Sequence, residues 1–131
     1  MTEKRITDSE SLSKVSYVSI GQKVLQAEAK ALTAIAKDLG RNFHDAVGCI
    51  LECKGRLVVI GVGKSGHIGR KISATLASTG TPSFFVHAGE ASHGDVGMIV
   101  EQDIVLALSN SGETQELVVL LPVLQRLGIR V

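Results

Sequence analysis

The sequence predicts an α/β fold built on a parallel sheet. Three observations predict it. The stretches 57–60 (LVVI), 83–86 (SFFV) and 104–108 (IVLAL) are short, apolar and rich in β-branched or aromatic residues, without the polar alternation of a half-exposed strand. Helical periodicity fills most of the chain between them, so strand and helix alternate and the strands run parallel through crossovers. The first and third runs pass directly into Gly/Ser-rich turns, the edge at which open parallel sheets hold ligands.

Taken in order, residues 1–16 are polar and Ser-rich and read as a flexible lead-in. From about 18 to 39, Val24, Leu25, Leu32, Ile35, Ala36 and Leu39 recur at helical spacing, and Gly40 stands where a left-handed cap is wanted. Asn42 is placed to cap a second helix carrying Phe43, Ala46, Val47, Ile50 and Leu51 on one face. After the strand 57–60 a helix reaches about residue 78, with Ile68, Ile72 and Leu76 on one side and Gly80 at its end. The second strand is followed by a loop over 87–101. The third strand leads through Ser109-Asn110-Ser111-Gly112-Glu113 into a helix ending near Leu127. Gly128 caps that helix, and residues 129–131 begin a fourth strand, at which the sheet is expected to be truncated.

The 131 residues suffice for one modest domain, and 44% hydrophobic against 21% charged residues is enough to bury a core. A formal net charge of +1 argues against a nucleic-acid binder relying on a basic field, and 3% aromatics leaves no stacking platform for single strands. Cys49 and Cys53 lie four apart with no zinc-ligand pattern around them, and read as reduced, mostly buried thiols. No apolar run reaches the ~18 residues of a membrane span, and the polar first ten residues do not form a secretory leader. A cytoplasmic protein with no membrane or nucleic-acid partner is expected.

Gly61, Gly63 and Gly66 satisfy G-x-G-x-x-G between a strand and a helix. The acid that would hold a ribose hydroxyl is missing from the end of the second strand, and the glycine spacing does not fit a Walker A loop. A small phosphorylated ligand fits better. Glycines let the backbone approach an anion, the following helix offers free N–H groups, Ser65 adds a hydroxyl and Lys64 a charge. The competing reading is a tight turn with a solvated lysine. In the second loop Ser109, Ser111 and Thr114 place three hydroxyls at a helix start, a neutral cradle for phosphate unless one of the serines is simply an N-cap.

Together the runs GVGKSGHIGRK (61–71), STGTPSFFVH (78–87), GEA (89–91), HGD (93–95) and SNSGE (109–113) resemble the SIS (sugar isomerase) domain, and within it are most similar to the D-arabinose 5-phosphate isomerases. The resemblance covers about residues 20–131. It implies a flavodoxin-like, doubly wound parallel sheet preceded by two helices, and a division into a lead-in (1–16) and a partial SIS domain (17–131) without CBS modules. It implies an aldose–ketose isomerase interconverting D-ribulose 5-phosphate and D-arabinose 5-phosphate, feeding 3-deoxy-D-manno-octulosonate for lipopolysaccharide or capsule. It also implies a homotetramer. This chain reads His87-Ala88-Gly89-Glu90-Ala91 where the family commonly has HPGEA, and the family's later active-site residues are not in it.

Such an isomerisation moves a proton between C1 and C2 and needs a base, a hydroxyl-proton shuttle and a phosphate grip. The resemblance gives the grip to Ser65, Ser109, Ser111 and Thr114, with Gly63, Gly66 and Asn110 beside them. Lys64 would neutralise ligand or oxyanion, Glu116 is a candidate base or orienter, and His93 the candidate shuttle. His87, Glu90 and Glu113 stand behind these. His67 and His44 read as structural or interface residues. No cofactor and no required metal are expected, although His87 and His93 could together reach a divalent ion. The partner implied is a small phosphorylated sugar. The alternative is a non-catalytic SIS module that senses a phosphosugar, for which the serine loops alone would suffice.

Overall fold

The computed structural model describes residues 16–131; of the expected lead-in 1–16, residues 1–15 lie outside them. The chain divides into two compact units between Asn42 and Phe43. The first holds helix α1 (Tyr17–Asp38). Ser16 caps it, its hydroxyl accepting from the Ser19 N–H at 3.2 Å. No residue of α1 is buried. Gly40 does not adopt the left-handed conformation expected of it. The helix ends instead at extended Leu39, whose N–H donates to the Ile35 carbonyl, and α2 (Arg41–Glu52) begins directly afterwards, so Asn42 lies inside the helix it was expected to cap.

The second unit is built on β1 (Leu57–Gly61), β2 (Ser83–His87) and β3 (Ile104–Leu108), all parallel, in the order β2-β1-β3. The expected fourth strand is present as one parallel bridge, Ile104 to Arg130, with the Val105 N–H donating to the Arg130 carbonyl at 2.9 Å. Central β1 is buried throughout. Val58 and Ile60 join Val86 and Val105 in the main core, completed by Leu117, Leu120 and Leu124 of helix α5 (Gln115–Arg126). Each such burial contributes about 1.5–3 kcal/mol. Alternate residues of the sheet face the other way, where Val59 and Phe85 meet helix α3 (Gly63–Ser78).

That second face corrects one expectation. Helix α3 does not use Ile68 as a core residue; Ile68 is 60% exposed. Its buried positions are Gly66, Gly69 and Ser73. A Cβ at Gly69 would stand 3.0–3.1 Å from Phe85 and Val59 side-chain atoms, so the absence of a side chain is what lets the helix lie this close to the sheet. The stretch 87–101 is also more ordered than a loop: it holds a short helix α4 (Ala88–Ala91) and a 3₁₀ turn (Asp95–Met98). Ala88, Ala91 and Ile99 are buried in the core, which ties that segment to the sheet. Both cysteines are free and half-buried.

At the sheet's amino edge a buried carboxylate joins three segments. Asp103 accepts from the Arg56 and Val100 N–H groups at 2.8 and 3.0 Å and from the Arg56 guanidinium at 2.8 and 3.2 Å. The same guanidinium donates to the Met98 carbonyl at 2.8 Å and stacks 4.7 Å from the centre of the Phe84 ring. Burial works against the Asp103 carboxylate, but the donors aimed at it win and hold its pKa below the ordinary value, while the bond to Asp103 raises that of Arg56. A lowered folded-state pKa means stability that is complete above about pH 4 and fades as the pH falls below it. Asp103→Ala is expected to cost about 2–4 kcal/mol, the price of breaking a buried pair reduced for the partial exposure of Arg56. Asp103→Asn, which cannot titrate, should show a flatter loss of stability between about pH 4 and pH 2. Urea unfolding across pH checks both; equal acid slopes for the wild type and Asp103→Asn would contradict this role.

Candidate functional site

Both Gly/Ser-rich loops leave the carboxyl edge of the sheet from adjacent strands, because Gly61 at the end of β1 pairs in register with Leu108 at the end of β3. Gly63, at φ +52°, makes the turn out of β1 in a conformation that disfavours side chains. Gly61 and Gly66 then touch: a Cβ on Gly66 would lie 3.2 Å from the Gly61 carbonyl oxygen, and one on Gly61 3.2 Å from the Gly66 nitrogen. This contact seats the first turn of α3 on the strand end. Helix α3 has Val62 at its cap position and no side-chain cap, and α5 has Thr114 there, likewise without a side-chain cap bond. Both helices therefore present uncapped N–H groups and the positive end of their dipoles at the same edge.

Lys64, Ser65 and Ile68 from α3 face Leu108, Ser109 and Asn110 across an open cleft of about 500 Å³. Four of the residues expected from sequence, Lys64, Ser65, Ser109 and Asn110, are thus brought together. Ile68 and Leu108 add an apolar wall that sequence reasoning missed, since both carried the pattern of core residues.

The second loop is internally ordered. Ser109 Oγ accepts from the Gly112 N–H at 3.0 Å and lies 2.7 Å from Thr114 Oγ1. Ser111 Oγ accepts from the Glu113 N–H at 3.1 Å, and Gly112 takes φ +73°. Neither serine is therefore the N-cap of α5. The Ser111 hydroxyl hydrogen remains to donate, and the Ser109–Thr114 pair has one donor proton to spare, which suits an acceptor-rich oxyanion. Ser111 and Thr114 do not line the cleft itself. Glu113 and Glu116 are exposed and line none of the clefts described; Glu116 sits in the first turn of α5.

A second cleft of about 460 Å³ gathers His87, Gly89, Glu90, His93 and Asp95. His87 Nδ1 accepts from the Gly89 N–H at 3.2 Å and so caps α4; a side chain at Gly89 would press on the imidazole at 3.2–3.3 Å. In the neutral ring this leaves the proton on Nε2. Asp95 was not singled out from sequence, although the HGD run contains it. Among the described residues no three metal-ligating side chains converge, and no helix is long and apolar enough to cross a membrane. Gly63 and Gly66, expected beside the phosphate, line a third and smaller cleft with His67, Arg70, Phe85 and His87.

A family model described as SIS domain matches residues 50–131. The chain is 56% identical over 113 residues to the arabinose 5-phosphate isomerase KdsD of Pseudomonas aeruginosa, covering 86% of this chain and 35% of that protein. It is 55% identical over 113 residues to the Escherichia coli K12 protein of the same name, covering 86% and 34%. It thus spans about a third of the length of the curated relatives it matches. An Escherichia coli CFT073 protein solved in complex with arabinose 5-phosphate superposes with a TM-score of 0.74 at 42% identity, over 88% of this chain and 63% of that one.

If the first cleft grips phosphate, Ser65→Ala and Ser109→Ala should each weaken binding of inorganic phosphate or a sugar phosphate roughly tenfold, the worth of one charge-assisted hydrogen bond. Isothermal titration checks this. Unchanged affinity in both variants would remove the cleft from consideration.

Proposed function

We propose, on the premise that this chain belongs to the SIS domain family, that it carries the phosphate-gripping part of an aldose–ketose isomerase that interconverts D-ribulose 5-phosphate and D-arabinose 5-phosphate. One observation carries the reading: Lys64 and Ser65 after β1 and Ser109 and Asn110 after β3 line one cleft, at the start of two helices without side-chain caps. Relatives named arabinose 5-phosphate isomerase, and a structural neighbour holding that sugar phosphate, support the choice of substrate. The product would feed 3-deoxy-D-manno-octulosonate and so lipopolysaccharide or capsule, in a cytoplasmic homotetramer, with residues 17–131 as part of the SIS domain.

The cleft fixes the phosphate by hydroxyl and backbone N–H donors, with Lys64 supplying charge that also stabilises an enediolate oxygen. Fixing the phosphate holds the open-chain sugar in register, so that C1 and C2 are presented to one base. Glu116 is the proposed base for the C2 proton and His93 the group that relays the hydroxyl proton. Lys64 and His93 lie in separate clefts, and Glu116 lines neither, so in the chain as it stands the three groups do not meet around one ligand. The same observation favours a second reading, a module that binds a phosphosugar without turning it over; binding without turnover in a protein of the relatives' full length would select it.

Because the catalytic set is not gathered, these 131 residues are expected to convert D-arabinose 5-phosphate with a kcat/KM at least about a hundredfold below that of the Pseudomonas aeruginosa relative, the scale of loss when reacting groups are misplaced. A colorimetric ketopentose assay on both proteins measures it. Equal turnover would refute the expectation that these residues alone do not gather the catalytic set.

A further inference from the structure

The strand order β2-β1-β3 gives the helix after β1 a neighbour on each side. On one side Lys64, Ser65 and Ile68 face the end of β3, which is the cleft already described. On the opposite side of the same helical turns Gly63, Gly66, His67 and Arg70 face Phe85 and His87 of β2, around a cleft of about 160 Å³. At 3.6 residues per turn, positions 64, 65 and 68 and positions 63, 66, 67 and 70 fall on opposite arcs of α3. We propose that this second cleft is a separate binding site for a small oxyanion, a phosphate or carboxylate group on a ligand other than the one held between α3 and β3.

Four features carry the proposal. The ionisable residues lining the cleft are Arg70, His67 and His87, and no acid lines it. Among the described residues no carboxylate is paired with Arg70; its guanidinium lies 4.4 Å from the centre of the Phe85 ring. An exposed guanidinium that rests one face on a ring can keep its N–H edge for an anion, the geometry in which arginine binds planar or tetrahedral oxyanions. His87 is oriented by the Gly89 N–H on Nδ1, so that Nε2 is the donor left to the ring. Finally, Gly63 and Gly66 keep the floor free of side chains: nothing approaches within 4 Å of a Cβ position on Gly63, and Gly66 lies against the Gly61 carbonyl. Phe85 therefore has two uses, closing against Gly69 on its way down the sheet and presenting Arg70 above it. The site does not depend on the isomerase reading, because its ligand needs no turnover.

The test follows the imidazole proton signals of His67 and His87 by NMR while inorganic phosphate, and in a parallel arm acetate, is titrated at constant ionic strength set with chloride. Both signals should shift saturably, and the arm with the tighter midpoint assigns the ligand as phosphate or carboxylate. Arg70→Gln should weaken that midpoint at least about tenfold. Arg70→Lys, which keeps the charge and loses the fork, should give a smaller loss and guards against a folding artefact in the glutamine variant. Ser109→Ala should leave the His67 and His87 response unchanged. Signals that ignore both anions overturn the proposal, as does a response that survives Arg70→Gln but is lost in Ser109→Ala. A change of oligomeric state in Arg70→Gln, seen by sedimentation with no anion response in the wild type, would make the cleft a subunit contact and likewise overturn it.

Discussion

The pairing of β1 in parallel with both β2 and β3 is the constraint from which the site follows. Parallel strands end at the same edge, so each loop leaving that edge begins beside its neighbours. Gly61 is matched with His87 on one side and Leu108 on the other. Those two pairings bring Ser65 and Ser109 to the lining of one cleft, and Arg70 and His87 to that of another, although neither pair is close in sequence. No long-range polar contact has to hold the cleft between Lys64 and Asn110 together; the hydrogen bonds of the sheet do so, and the loops need only be short.

The glycines make that edge usable. Gly61 and Gly66 permit the helix to start directly against the strand end, and Gly69 lets the following turn settle on Phe85 and Val59. A helix held at this distance points its uncapped first turn at the cleft rather than over it. In the second loop the hydroxyls do the ordering instead, with Ser109 bonded to Thr114 and Gly112, and Ser111 to Glu113. One loop is shaped by absent side chains and the other by present ones, yet both leave donors at the same place.

Much of this was legible in the sequence, for identifiable reasons. Strand runs without polar alternation located β1, β2 and β3 to within a residue, because a sheet covered on both faces has no polar side to show. Lys64, Ser65, Ser109 and Asn110 were singled out because glycine and serine after a buried strand suit a turn with donors left over, and they do line one cleft. Apolar periodicity misled at Ile68, where a helix seated through glycines turns an isoleucine outward to the cleft. It missed α4 and the 3₁₀ turn, whose order comes from Ala88, Ala91 and Ile99 entering the core rather than from any local repeat. Gly40 was expected to be left-handed, but a second helix starting at Arg41 leaves it no room to be a cap in the usual sense. The Arg70 cleft was not foreseen, because Arg70 and Phe85 belong to different elements and only the register of β2 against β1 brings them together.

The central claim is that one phosphate is shared between the loops after β1 and β3. A crystal structure of the protein with D-arabinose 5-phosphate bound tests it most directly. The phosphate should lie within hydrogen-bonding distance of both the Ser65 and Ser109 hydroxyls, with backbone N–H groups from the starts of α3 and α5 completing its shell. A phosphate seated among His87, Glu90 and His93, with the cleft between Lys64 and Asn110 left to solvent, would contradict the account.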